Sequence, residues 1–218
     1  MHRTIYDTPI VCTLMRWISV IGLRLSGWKC EGEKPTSPKY VLICGPHTSN
    51  WDWLIFMAMV FAFRARLYYM AKDSLFRGAK GPLLKWLGGL PIDRSRNTGV
   101  VEQMVEQFNK SDSLELAIPP EGTRRRAEKW KTGFYHVAFQ AQVPVVMGFL
   151  DYENKIGGFG PQFMPTGDIE EDIVLCREFY GPLKGLNAEW TSPVRVSVPA
   201  EEAAEDRGRN GGEDASTR

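Results

Sequence analysis

The stretch Tyr40-Val41-Leu42-Ile43-Cys44-Gly45-Pro46-His47-Thr48-Ser49-Asn50-Trp51-Asp52 decides the fold. Its first five residues are a short apolar run closed by a glycine, the pattern of a buried strand. Trp53 to Phe63 then reads as a mostly apolar helix. Strand, turn and helix in succession are the building unit of a parallel α/β sheet. His47 and Asp52 fall on the turn, at the carboxyl end of the strand, where open α/β sheets bind their ligands.

Downstream the same alternation repeats. Leu67 to Met70 reads as a second strand, and Asp73 can cap a helix running to about Leu87, disturbed at Gly81-Pro82 and ended by Gly88-Gly89. Leu90 to Arg94 is a short extended piece, and Asn97 or Thr98 can cap a helix that aligns Val101, Met104, Val105 and Phe108. Leu114 to Ile118 is a further buried strand, closed by the turn Glu121-Gly122-Thr123-Arg124. Gly133 to Gln142 reads as helix, Val143 to Phe149 as strand, and Asp168 as the cap of a last helix through about Phe179. The Gly- and Pro-rich stretch from Gly157 to Asp168 reads as a loop. The alternation predicts an α/β fold: a layered, mixed, largely parallel sheet flanked by helices.

Upstream, Pro9 to Trp28 is helical by period, with Ile10, Leu14, Trp17, Ile18, Ile21 and Leu25 on one stripe and Arg16 opposite. Such an amphipathic N-terminal helix can pack on the protein's own core or lie in the headgroup region of a membrane. Arg16 and Arg24 interrupt it, so no uninterrupted apolar run has the length of a spanning helix. Nor does a signal-peptide pattern follow. The expected organisation is an N-terminal amphipathic helix over residues 1–30, one domain over 31–199, and a Glu-, Gly- and Asp-rich disordered tail over 200–218.

Composition excludes several classes. The 218 residues carry a net charge of +1, which rules out a wholesale electrostatic nucleic-acid binder. A hydrophobic fraction of 43% is too low for a polytopic membrane protein. The cysteines Cys12, Cys30, Cys44 and Cys176 show neither metal-ligand spacing nor a disulfide framework, so no metal is expected and a reducing compartment is. Basic residues do cluster, between Arg64 and Arg96 and again at Arg124, Arg125, Arg126, Lys129 and Lys131. They are either solvated charge or a surface for anionic headgroups or a phosphorylated ligand.

Of the three histidines, only His47 stands at a strand end; His2 is terminal and His136 lies within a predicted helix. A positioned imidazole can remove the proton of an alcohol as it attacks an acyl carbonyl. A carboxylate such as Asp52, accepting from the other ring nitrogen, fixes the tautomer and stabilises the imidazolium that forms. This is triad logic with the substrate hydroxyl in the place of the serine. No Gly-x-Ser-x-Gly elbow, Walker loop or His-Glu-x-x-His helix is present. In the second motif Gly122 permits close backbone approach, and Thr123 and Arg124 can donate to phosphate oxygens.

Four blocks, in order, resemble those of the glycerolipid acyltransferases, the family of 1-acylglycerol-3-phosphate acyltransferase. They are His47 to Asp52, an His-x4-Asp block; Gly89 to Arg94; Pro120 to Arg124; and Val143 to Val146. The resemblance implies an acyl thioester donor, on coenzyme A or acyl carrier protein, and no cofactor or metal. It implies His47 as general base oriented by Asp52, Arg94 and Arg124 on the acceptor's phosphate, and Glu121, Gly122 and Thr123 shaping the acceptor pocket. It implies a lysophospholipid acceptor and work at the cytoplasmic face of a membrane. Two departures are visible: Pro46 stands where the family has Asn, and Met147-Gly148 where a further Pro is common. They leave open another lysolipid, or an amphiphile without phosphate, as acceptor. Two other functions also stay open: a thioester hydrolase using the same histidine with water, and a lipid-binding module without catalysis.

Overall fold

The computed structural model describes residues 3–93 and 99–196. The predicted cap at Asn97 or Thr98 and the predicted disordered tail lie outside the described residues, as does Arg94. After a single 3-10 turn at Ile5–Asp7 come α1 (Pro9–Ser26), β1 (Lys29–Glu31), β2 (Lys39–Gly45), α2 (Asn50–Ala62) and β3 (Leu67–Lys72). Then follow α3 (Gly81–Trp86), β4 (Gly89–Ile92), α4 (Val100–Lys110), β5 (Leu114–Ile118), α5 (Gly133–Ala141), β6 (Val145–Asp151), β7 (Ile156–Phe163) and α6 (Ile169–Tyr180). The seven strands form one sheet in the order β1-β7-β6-β2-β5-β3-β4. Every neighbouring pair is parallel except β6 and β7. The fold is therefore the predicted mixed, largely parallel α/β sheet.

The strand period of two sorts β2 between two cores. Val41 and Ile43 join one cluster with Met104 and Phe108 of α4, Phe134 and Val137 of α5, and Ile173 and Cys176 of α6. Tyr40 and Leu42 face the other side, with Val60 and Phe61 of α2 and Val11, Cys12 and Met15 of α1. So α1 and α2 cover one face, and α4, α5 and α6 the other. All of β2 from Tyr40 to Ile43 is fully buried, as its apolar run requires.

This layering places the site. β2 sends the chain to α2 on one face, and its neighbour β5 sends it to α5 on the opposite face. Adjacent strands that part in this way open a crevice at their carboxyl ends, the topological switch point. His47 leaves the end of β2 and Glu121 leaves the end of β5.

Three expectations need correction. The helix predicted from Asp73 to Leu87 is split: Asp73–Phe76 is one 3-10 turn, and α3 begins only at Gly81. Gly78 takes the left-handed conformation at φ 81°, which breaks the first helix. Pro82 then sits in the first turn of the second, where its missing N–H does no harm. The stretch from Gly157, read as a loop, is mostly strand β7. Its glycines are there because side chains would collide: a Cβ on Gly160 would lie 2.3 Å from the Phe179 ring, and one on Gly158 2.1 Å from Glu31 O. The three-residue strand β1, exposed along its length, was not predicted at all.

The N-terminal helix also turns the other way from one of its two readings. Pro9 opens it and Gly27, at φ 80°, closes it as the sequence predicts. The predicted apolar stripe points outward, with Ile10 and Leu25 each 84% exposed and Trp17 61%. α1 rests on α2 by Val11, Cys12, Met15 and Leu23 instead. Although two arginines interrupt it, its 18 residues are long and apolar enough by average composition to cross a membrane.

Candidate active site

Ser49 caps α2, accepting a hydrogen bond from Trp51 N–H at 3.1 Å. Asp52, three residues on, completes a capping box by accepting from Ser49 N–H at 2.7 Å. The same Oδ2 accepts from Thr48 N–H at 2.7 Å and meets His47 Nδ1 at 3.1 Å. Its other oxygen, Oδ1, accepts from the Tyr152 hydroxyl at 2.7 Å. A helix cap and an imidazole–carboxylate pair are thus built from one side chain. Burial alone would raise the Asp52 carboxyl, but the hydrogen bonds from His47, Tyr152, Ser49 and Thr48 outweigh it and hold it below its ordinary value. The carboxylate is therefore charged at neutral pH. With Nδ1 engaged, Nε2 is the ring atom left to act as a base, on a side chain that keeps 21% of its surface exposed.

Glu121 crosses the switch point to meet this turn. Its Oε1 accepts from His47 N–H at 3.0 Å, which ties the end of β5 to the end of β2. Its Oε2 is buried with no hydrogen-bond partner among the described residues. Burial, opposed by His47 and reinforced by the Asp52 charge, pushes the Glu121 carboxyl up to about 7. A buried carboxyl that binds its proton near neutral pH can donate a hydrogen bond as well as accept one.

Gly122 takes φ 64°, and a Cβ there would lie 3.0 Å from Lys131 Nζ. The glycine thus lets the Lys131 ammonium lie against the turn. Thr123 Oγ1 accepts from Arg125 N–H at 3.2 Å. Thr123 and Arg124 are both exposed, and Arg124 makes no ion pair among the described residues. So the structure brings His47, Asp52, Glu121 and Gly122 together and leaves Thr123 and Arg124 on the solvent side of the same loop. Arg94 lies outside the described residues. Its neighbour Asp93 is fixed in both directions by the buried Gln103, which accepts from Asp93 N–H at 3.1 Å and donates to Asp93 O at 2.7 Å. His136 is exposed on α5, away from any such constellation.

A cavity of about 260 Å³ opens beside the histidine. His47 and Asp52 are its charged or titratable lining together with the Cys44 thiol and the Tyr69 phenol; Trp53, Phe56, Met57, Leu67, Ala117 and Leu150 supply apolar walls. Trp53 lines the cavity and is also 54% exposed, so the apolar lining continues to the surface of α2. Among the described residues no three His, Cys, Asp or Glu side chains are grouped to hold a metal ion.

Sequence reasoning missed two parts of the site. Tyr152 lies one hundred positions beyond Asp52, outside every motif. The segment after α6 is the other. Asn187 N–H donates to Thr48 Oγ1 at 3.2 Å, and Asn187 Nδ2 donates to Thr48 O at 2.8 Å. This strap secures the turn that carries His47. Neither contact has a local signal, because each joins loops that only the folded sheet brings together.

Known proteins resemble the chain in the same region. A sequence profile of the family described as Acyltransferase matches residues 28–147, more than half of the chain. The 1-acyl-sn-glycerol-3-phosphate acyltransferase of Haemophilus influenzae is 30% identical over 132 residues, 56% of this chain and 53% of that protein. The enzyme of the same name from Escherichia coli is 31% identical over 132 residues, with 56% and 52% covered. The human 1-acyl-sn-glycerol-3-phosphate acyltransferase alpha is 33% identical over 118 residues, with 51% and 40% covered. The matched part of the chain thus spans about half the length of these relatives or less. The crystal structure of the 1-acyl-sn-glycerophosphate (LPA) acyltransferase PlsC from Thermotoga maritima superposes with a TM-score of 0.53 at 15% identity. It covers 95% of this chain and 82% of that one, a likeness of fold.

Proposed function

The chain belongs to the acyltransferase family, and from that premise we propose that it moves a fatty acyl group from an acyl thioester to the hydroxyl of a lysophospholipid, by default 1-acylglycerol-3-phosphate. The observation that carries this reading is the His47–Asp52 pair at the mouth of an apolar cavity. An acyl chain in the cavity brings its thioester carbonyl to the histidine. His47 Nε2 takes the acceptor's hydroxyl proton as the oxygen attacks that carbonyl. The carbon–oxygen bond forms, the carbon–sulfur bond breaks, and the proton passes from the imidazolium to the departing thiolate. Asp52 stabilises the imidazolium in between. Arg124, with Lys131 beside Gly122, offers cations to the acceptor's phosphate; Arg94 has the same expected role. Named relatives act on 1-acyl-sn-glycerol-3-phosphate, which supports that acceptor as the default. The donor is coenzyme A or acyl carrier protein.

The outward stripe of α1 supports work at a membrane surface. Its Ile10, Leu14, Trp17, Ile18, Ile21 and Leu25 are all more than half exposed, as are Trp51, Trp53 and Leu54 of the adjoining α2. A broad apolar face bearing Trp, with Arg16 and Arg24 on the same helix, suits the headgroup region. It would bring the Trp53 mouth of the cavity to the lipid.

The test is thiol release by the purified chain from long-chain acyl-coenzyme A and from acyl carrier protein, with and without 1-acylglycerol-3-phosphate, beside His47→Ala. Release that needs both acceptor and His47 is the expected result. Release without acceptor, still dependent on His47, would replace this reading with a hydrolase. Binding to anionic vesicles without turnover of either donor would replace it with a lipid-binding module.

A further inference from the structure

The two oxygens of Asp52 are held unequally. Oδ2 takes Thr48 N–H, Ser49 N–H and His47 Nδ1. Oδ1 accepts from Tyr152 alone among the described residues. The terminal torsion of an aspartate is soft and roughly two-fold, and rotation about it moves both oxygens together, so a bond to Oδ1 adds to the restraint that the three contacts on Oδ2 supply. The bond to the second oxygen stiffens the carboxylate plane from the opposite side.

We propose that Tyr152 is a positioning residue of the reaction: its hydroxyl clamps Asp52 Oδ1, so that Oδ2 stays in line with His47 Nδ1. The clamp has a rigid mount. Tyr152 follows β6 directly, and its N–H donates to Lys184 O at 2.9 Å. Its ring meets the Trp28 ring edge-on, centroids 4.9 Å apart at 89°. Trp28 is buried, and its N–H is bonded to Leu23 O at 2.9 Å in the C-terminal turn of α1. Burial and the facing carboxylate raise the phenol far above its ordinary value, so it remains a donor throughout the working pH range. Tyr152 is not part of the cavity lining, so it acts through Asp52 and not on the acyl chain.

Without the hydroxyl, Oδ1 is a buried charge with no partner. The carboxylate becomes more basic and holds the imidazolium proton more tightly. The proposal takes its kinetic readout from the acyl-transfer reading above, but not its structural one. Full-length Tyr152→Phe is compared with the parent and with Tyr135→Phe, a control that loses a phenol–carboxylate bond of the same length together with one accepted from Gly167 N–H. The Tyr135 hydroxyl donates to Asp172 at 2.7 Å, remote from the dyad.

The His47 pKa is read by NMR titration, practicable with three histidines in the chain. Tyr152→Phe is expected to raise it by about half a pH unit, because a hydrogen bond to the charged carboxylate is lost, whereas Tyr135→Phe leaves it unmoved. In turnover, Tyr152→Phe is expected to lower kcat about tenfold, a typical cost of one hydrogen bond to a charged group. KM stays constant, and the acidic limb of the kcat profile moves to higher pH with the His47 titration. A His47 titration that stays put, moves down, or moves equally in both variants overturns the proposal, whatever the change in melting temperature. A parent that turns over neither donor defeats the acyl-transfer reading alone; the NMR titration then decides on Tyr152 by itself.

Discussion

Asp52 both caps α2 and pairs with His47, and its charge ties fold stability to pH. Asp52→Ala leaves two backbone N–H groups and the Tyr152 hydroxyl unpaired, and should destabilise the fold by about 2–4 kcal/mol. The pH dependence follows from the direction of its pKa. The folded carboxyl ionises below 3.8, its ordinary value. Its stabilisation is therefore present above that value and disappears as pH falls through the folded pKa. The gap between parent and Asp52→Ala should be full near pH 7 and close in strong acid; a gap independent of pH in urea titrations would refute the charge-based account. Glu121 has the opposite sign. Its folded value of about 7 exceeds 4.5, so the folded state holds a proton that the unfolded chain has lost. Stability should fall as pH rises between those values, by on the order of 3 kcal/mol. Glu121→Gln keeps an acceptor for His47 N–H and removes the ionisation. It should be more stable than the parent at pH 8 and little different at pH 4; equal differences at both would count against a raised carboxyl.

Among the elements, α1 is the one whose surface contradicts its surroundings. Trp17 and Ile18 are exposed and contribute little to the core, so Trp17→Glu with Ile18→Glu should change stability by no more than about 1 kcal/mol. Sedimentation with anionic vesicles should nonetheless be lost, and retention of binding would remove α1 from the interface. The elements also mark how far sequence could see. Tyr40–Cys44 and Leu114–Ile118 were legible because burial on both faces leaves an apolar run, unbroken in the first and interrupted only by Glu115 in the second. The turns at His47 and Glu121 were legible because they follow those runs. β7 was not, since Gly157, Gly158 and Gly160 look like a loop until Phe179 and β1 are seen pressing against them. The direction in which α1 faces was equally hidden. Its period defines an apolar stripe but cannot say whether protein or something else covers it. Gly81-Pro82 was read as a disturbance within one helix, whereas Gly78 and Pro82 mark the break between a 3-10 turn and α3.

At the scale of the whole molecule, the site is assembled from parts far apart in the chain: the β2 turn, the β5 turn, the β6–β7 connection with Tyr152, and the strap carrying Asn187. Asn187→Ala removes the side-chain hydrogen bond from Nδ2 to Thr48 O and keeps the one from its backbone N–H to Thr48 Oγ1; it should speed hydrogen exchange at Thr48 and Ser49 while the amides of β2 stay protected. Unchanged exchange at both residues would mean that the Asn187 side chain does not secure the turn. Only two residues separate the end of α1 at Ser26 from β1 at Lys29, and β1 is itself a strand of the sheet. That short join leaves no slack for a hinge. A bilayer gripping α1 would hold the sheet at one fixed tilt, with the cavity mouth at a constant depth, and on the proposed acyl-transfer reading the protein would meet its acceptor by lateral diffusion in two dimensions. Its speed would then follow the mole fraction of acceptor in the surface, and diluting that surface with inert lipid would slow it even at constant total acceptor.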